Sequence, residues 1–362
     1  MTVPVTTLVT TLVTTLVTTL MTVLVTTLVS SVAVAPVVAQ QTRANDVSRP
    51  RAAAVPDTPW GDPDLQGVWP SGSLIEVPFE RPRALGTRAE LNDAEFAQRA
   101  ALIARQVEAD ATGGVLPEEA EAGGAPRHWR ERGQPSRLAS LVIDPPDGRL
   151  PPMTVDGARR AAAWPDTSNT AAFTQPSDMV LFDRCITRGL LGSMFPNLYS
   201  SGTEIHQAPG LVVIRHEMIH ETRIIPLDGR PPLASAIESF MGDSRGHWEG
   251  RTLVVETRNF NGRTGSLGRN ANGNPTSTAL RLVERFTRQD ADTLHYEVRI
   301  DDPQTWTRPW TVAFPLTRDP SYTMFEYACH EGNYAIRNIL SAARAGERGA
   351  GSVSAPAPSA VR

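Results

Sequence analysis

The sequence predicts a mainly β fold, an antiparallel meander closing into a lipocalin-like barrel, with peripheral N-terminal helices and a C-terminal helix. Three observations point there. From Asp178 onward the chain runs through β-branched, alternating stretches (MVLFDRCI, LVVIRHEMIHETRII, RTLVVETRNF, ALRLVERFTR, TLHYEVRI, RPWTVAF) separated by Gly, Asp, Asn or Pro turns. Helical periodicity is confined to a few segments before residue 165 and after residue 333. The 362 residues, 40% of them hydrophobic, are enough for a large core.

Residues 1–42 carry no charge. Their VTTL repeats, followed by Val37 and Ala39 ahead of Gln40, read as a secretory signal spanning 1–39 and cleaved after Ala39. That places the mature protein in the periplasm or outside the cell, with no stable membrane span after cleavage. The missing basic n-region offers Met21 as an alternative start, and a membrane anchor is the alternative for the whole run. Residues 40–58, polar and rich in Arg, Pro and Ala, form a flexible leader. The next segment, 59–176, is helical and irregular and packs on the barrel. Within it WGDPDLQGVW (60–69) turns into a short strand. Asn92 and Glu95 make a capping box for a helix whose apolar stripe is Phe96, Ala100, Ile103 and Val107. Residues 111–136 read as a surface loop, Pro145 to Pro152 as a rigid connector, and about 154–164 as a short helix.

The β body and its C-terminal helix span 177–345. In 280–300 the even positions Leu280, Leu282, Phe286, Leu294, Tyr296, Val298 and Ile300 are apolar while the odd ones are mostly charged, so even positions face the core. A three-residue turn at Gln289–Ala291 sets Glu284 opposite Tyr296, Leu282 opposite Val298 and Phe286 opposite Leu294. Trp306, Arg308 and Trp310 point the same way, and Glu256 shares its parity with Val254 and Phe260. Glu249-Gly250 reads as a two-residue hairpin turn. A helix from about Asn333 to Arg344 is capped by Asn333 and ended by Gly346, with 346–362 a disordered tail.

Composition removes several functions. The net charge of -4 gives no basic field for nucleic acid. All 35 basic residues are arginine, which excludes Schiff-base, pyridoxal-phosphate, P-loop and kinase-type lysine chemistry. Cys185 and Cys329, in an oxidising compartment, read as one disulfide.

Two constellations can carry chemistry. His216-Glu217-Met218-Ile219-His220 spells H-E-x-x-H. On a helix the two histidines would share one zinc, with Glu217 as general base and Glu238 as a third ligand. The flanks are strand-like, however, and along a strand the two lie about 13–14 Å apart, too far to hold one ion. The strand reading leaves His216 and His220 near a barrel mouth or surface and no cofactor bound. The second set is Glu284, Tyr296 and Arg308, with Glu256: a structural ion pair, the polar floor of a ligand cavity, or an acid/base couple. Trp306 and Trp310 would wall that cavity. Gly242-Asp243-Ser244-Arg245-Gly246 reads as a tight turn with Asp243 paired to Arg245, and 261–277 as a lid.

The blocks PDLQGVW (63–69), SLVIDPPDGRLPPMT (140–154), HEMIHETRIIPLDGRPP (216–232), GDSRGHWEGRTLVVETRNFN (242–261), DDPQTWTRPWT (301–311) and YACHEGNY (327–334) occur in this order. Together they resemble a family of exported bacterial proteins generally labelled hypothetical, and the resemblance covers about residues 60–345. It implies secretion and a β-rich body and brings no activity with it. The functional expectation is therefore a secreted barrel binding a small apolar or carbohydrate-like ligand in its interior, through Tyr296, Arg308, Trp306, Trp310 and His220. The alternatives are a hydrolase or lyase using the inward carboxylates Glu284 and Glu256, and a zinc hydrolase using His216, Glu217 and His220.

Overall fold

The computed structural model describes residues 55–112, 131–164, 173–265 and 275–353. The expected signal, most of the leader, most of the 111–136 loop, the middle of the 261–277 loop and the end of the tail lie outside them.

The described residues form ten strands: β1 (Gly67–Val68), β2 (Val142–Asp144), β3 (Thr203–Ala208), β4 (Leu211–His216), β5 (Thr222–Pro226), β6 (Asp243–Glu249), β7 (Thr252–Arg258), β8 (Arg281–Arg288), β9 (Thr293–Asp301) and β10 (Trp310–Thr317). Helices α1 (Asp93–Thr112), α2 (Val155–Ala162), α3 (Leu190–Met194) and α4 (Ala335–Val353) accompany them. The strands make two antiparallel sheets, ordered β1-β3-β4-β5 and β2-β10-β9-β8-β7-β6. The fold is mainly β, as expected, but neither sheet is closed into a barrel. β1 does not pair with β2, and β5 does not pair with β6. Pro231 and Pro232, in the irregular connection between them, have no N–H to donate to a ladder. Gly246 in β6 then lets β5 lie across it, because a Cβ there would sit 2.6 Å from Leu227 and 2.9 Å from Ile225. The 59–176 segment is more than a cover, since it supplies an edge strand to each sheet, β1 beside β3 and β2 beside β10.

Alternation explains the core. Leu282, Phe286, Leu294, Tyr296, Val298, Ile300, Val312 and Phe314 from the larger sheet meet Ile205, Val212, Ile214 and Ile225 from the smaller one. Phe286, Tyr296, Phe314 and Phe195 form a run of rings with centroids 5.0, 5.3 and 6.3 Å apart. These side chains fill the space between the sheets.

Several local expectations change. The β8–β9 turn is longer than expected: Arg288 pairs with Leu294 and Gln289 N–H donates to the Thr293 carbonyl. Glu284 therefore stands opposite Val298, Phe286 opposite Tyr296 and Leu282 opposite Ile300. The slip is two residues, so every side chain keeps its face. In the β6–β7 hairpin the turn residues are Gly250 and Arg251, with Glu249 paired to Thr252 and Gly250 at φ +59°. Gly242–Gly246 is no tight turn; Asp243 opens β6, where its i,i+2 spacing still pairs it with Arg245 at 2.5 Å. The MVLFDRCI run is not a strand: Ile186 N–H returns to the Leu181 carbonyl and Cys185 takes φ +56°. The α1 capping box forms as read, with Asn92 and Glu95 exchanging hydrogen bonds at 2.9 Å. Its buried line runs from Ile103 to Gln106 and Ala109 by i+3 steps and leaves Val107 exposed. Helix α4 continues past Gly346 to Val353; Gly346 does not take a left-handed conformation, and Arg344 and Glu347 pair across it at 2.6 Å.

Candidate functional site

The inward polar set divides. Glu284 on β8 is fully buried and accepts from Tyr296 Oη on β9 at 3.1 Å, as the facing argument requires. Its charge partner is Arg223 on β5, which the sequence reading missed. The guanidinium donates to both carboxylate oxygens at 2.7 and 3.0 Å, with side-chain exposures of 2% and 0%. Burial alone would lower the Arg223 pKa, but Glu284 carries it above the usual arginine value. Burial, then Glu284, push the Tyr296 hydroxyl well up. This pair ties one sheet to the other and is sealed in the core.

Arg308 and Glu256 are not part of it. Arg308 precedes β10, where strand alternation has not begun; it is half exposed and 3.5 Å from Asp144. In β7 the odd positions face inward, Leu253 opposite Phe286 and Val255 opposite Glu284, so Glu256 lies on the outer face paired with Arg258 at 2.9 Å. Trp306 and Trp310 pack edge to face at 5.3 Å, both buried in the core.

The H-E-x-x-H segment is neither helix nor continuous strand. His216 ends β4, Met218–His220 make one 3-10 turn, and Ile219 and His220 take φ +58° and +46°. His216 is buried, with Nδ1 3.2 Å from Thr203 Oγ1. Burial, then the nearby Arg223 charge, hold its pKa down to about 3. His220 is exposed, with Nδ1 3.3 Å from the Tyr327 carbonyl. Among the described residues no three His, Cys, Asp or Glu side chains are grouped so as to hold a metal ion.

The concave site lies elsewhere, next to the disulfide joining Cys185 to Cys329. A cleft of about 1080 Å³ opens there. One wall is the segment from Asp319 to Ala335 that follows β10, and the other comes from Glu131, Phe182, Asp183, Tyr199, Ser200 and Glu217. Glu217 fastens the two walls together. Tyr322 Oη donates to its Oε2 at 2.6 Å, and the Phe325 N–H donates to its Oε1 at 3.2 Å. The same phenol oxygen lies 3.2 Å from Glu131 Oε1, and Glu131 accepts from the hydroxyl and N–H of Ser201. Gly202 leaves room for this, since a Cβ there would be 2.8 Å from the Tyr322 ring and 2.9 Å from Glu217 Oε2. The glutamate of the zinc-like motif is thus an anchor for a wall.

Among the described residues five aromatic rings line the cleft: Phe182, Tyr199, Tyr322, Phe325 and Tyr327. Burial raises the hydroxyl pKa values of Tyr322 and Tyr327, reinforced by Glu217 and by Tyr199 respectively, so both stay protonated. Asp183 is half-buried, its carboxylate makes no hydrogen bond or ion pair among the described residues, and burial raises its pKa. None of the described lining residues is Arg, Lys or His. Arg188 lies behind the wall, 5.3 Å over the Phe182 ring, bonded to Met218 Sδ and Asn197 Oδ1. Burial takes its pKa down to about 10 against Tyr199, Tyr327 and Glu221. The signal for this site was present in the aromatic spacing of Tyr322, Phe325 and Tyr327 ahead of Cys329, which the sequence reading assigned to the disulfide alone.

Set against known proteins, the chain matches no family model, no curated protein and no solved structure.

Proposed function

We propose that this is an exported protein that binds a small organic molecule in the cleft beside the disulfide. The observation that carries the reading is the cleft itself: about 1080 Å³, walled by five aromatic rings and held open by the Glu217–Tyr322 and Cys185–Cys329 links. The disulfide and the uncharged residues 1–42 support export into an oxidising compartment. No helix among the described residues is long and apolar enough to cross a membrane.

This reading moves the ligand from the interior of a lipocalin-like barrel to the outside of the larger sheet's C-terminal connection. The Glu284–Tyr296–Arg223 cluster is closed to solvent, so it braces the sheets. A hydrolase working through Glu284 and Glu256 finds no support in their placement, because one is sealed and the other lies on the outer face.

Native mass spectrometry of protein purified from its producing cells tests the binding reading, with the exposed Phe325→Ala variant as the comparison. The expected result is a small organic adduct on the parent protein that Phe325→Ala reduces. A bare chain that no member of a small-molecule library stabilises against heat overturns it. An adduct indifferent to Phe325→Ala overturns the location.

A further inference from the structure

We propose that the cleft selects a cationic organic molecule, an amine or quaternary ammonium on an apolar body, whose charge faces Asp183 among the aromatic rings. This rests on the binding reading above and names its ligand class.

Six described carboxylates line the cleft and have different duties: Asp319 accepts from the Ser321 N–H and hydroxyl, and Glu326 and Glu331 are exposed to water. Glu217 and Glu131 have their oxygens engaged by Tyr322, Ser201 and the Phe325 N–H, so they serve the wall. Asp183 has no such partner, yet Phe182 precedes it and the Asn333 side chain donates to its backbone carbonyl at 3.4 Å, which keeps it at the cleft. A carboxylate half removed from water and unpaired is stabilised by an incoming cation more strongly than by a neutral hydrogen-bond donor. The rings add to this, because their faces carry negative potential and attract an ammonium within about 6 Å of the ring centre. Two phenols kept in the protonated form remain neutral rings suited to that contact. No described lining side chain competes as a cation. Arg188 does not line the cleft; it lies 5.3 Å over the Phe182 ring, fixed to Met218 Sδ and Asn197 Oδ1, in electrostatic reach of Tyr199, Tyr327 and Glu221. An anionic ligand would meet carboxylates and no basic donor, and a neutral one without an N–H or O–H donor would leave Asp183 without a partner.

The test is calorimetric titration of the full-length protein with three probes of similar shape: benzyltrimethylammonium, its neutral carbon isostere neopentylbenzene, and benzenesulfonate. The proposal expects the ammonium to bind and the other two to bind at least about tenfold more weakly. Asp183→Asn should weaken the ammonium about tenfold and leave the neutral probe unchanged. Its melting temperature should match the parent, because the Asp183 side chain holds nothing in the fold. Tyr199→Leu gives a second reading of the aromatic contribution without touching a carboxylate, and should also weaken the ammonium. Equal or tighter binding of the neutral or anionic probe, or indifference to Asp183→Asn, overturns the cation proposal and leaves the binding reading standing. Failure of all three probes to bind also overturns the cation proposal, while the binding reading is decided by the adduct and library test above.

Discussion

Removing one member of the Arg223–Glu284 pair is the sharpest test of how the two sheets are held. Glu284→Leu leaves a guanidinium with 2% side-chain exposure facing an apolar core. An orphaned buried charge of this kind costs about 3–5 kcal/mol. The Tyr296 hydroxyl loses its acceptor at the same time, adding about 1–3 kcal/mol. Arg223→Met should cost a comparable amount, because Glu284 must then stay charged and unpaired or take up a proton. The double variant Arg223→Met/Glu284→Leu removes both charges, and its loss should be far below the sum of the singles. Adding Tyr296→Phe should recover part of what remains, since the stranded hydroxyl goes with it. Urea unfolding followed by tryptophan fluorescence measures this, read as midpoint shifts at unchanged slope. Strict additivity, or single losses under about 1 kcal/mol, would refute the claim that this pair is a buried, mutually dependent bridge.

Three further outcomes are expected. His216, held at about 3 when folded against an ordinary 6.5, binds its proton more readily in the unfolded chain, so its contribution to stability is complete above pH 6.5 and is lost as pH falls toward 3. The loss at pH 5 is about 2 kcal/mol, and His216→Leu should flatten that part of the urea midpoint-versus-pH curve; an unchanged slope contradicts a buried neutral histidine. Gly202→Ala forces a methyl against Tyr322 and Glu217, so it should cost about 1–3 kcal/mol and expose 319–327 to limited proteolysis, while Gly346→Ala, with open space and no left-handed backbone, should leave that segment protected. Replacing both cysteines by alanine should lower stability by up to about 5 kcal/mol and weaken ligand binding in the same preparation; unimpaired binding would mean the cleft wall stands without the bond.

The strands from 281 to 317 were legible because alternation was strict there and parity survives a two-residue slip. Facing failed where alternation did not apply. Arg308 lies ahead of its strand, and β7 carries apolar residues on both faces, so the parity of Glu256 could be settled only by its pairing with β8. Closure into a barrel could not be read, because it needs β5 to pair with β6 and β1 with β2, and no local pattern encodes either. Arg223 escaped notice because a charge partner 61 positions away and on another sheet leaves no spacing signal. The disulfide was legible from cysteine count and compartment. The cleft beside it was not, since its described lining comes from five separate stretches of chain.

The Cys185–Cys329 bond closes a ring of chain that contains every strand from β3 to β10. A protease that cuts once inside that ring, for instance between β5 and β6, releases no fragment. The nicked protein keeps its mass on a gel without reductant, and both walls of the cleft remain on one molecule. In a compartment rich in proteases, material already cut can therefore persist with its binding site intact, and adding a thiol is what separates cut from uncut chains.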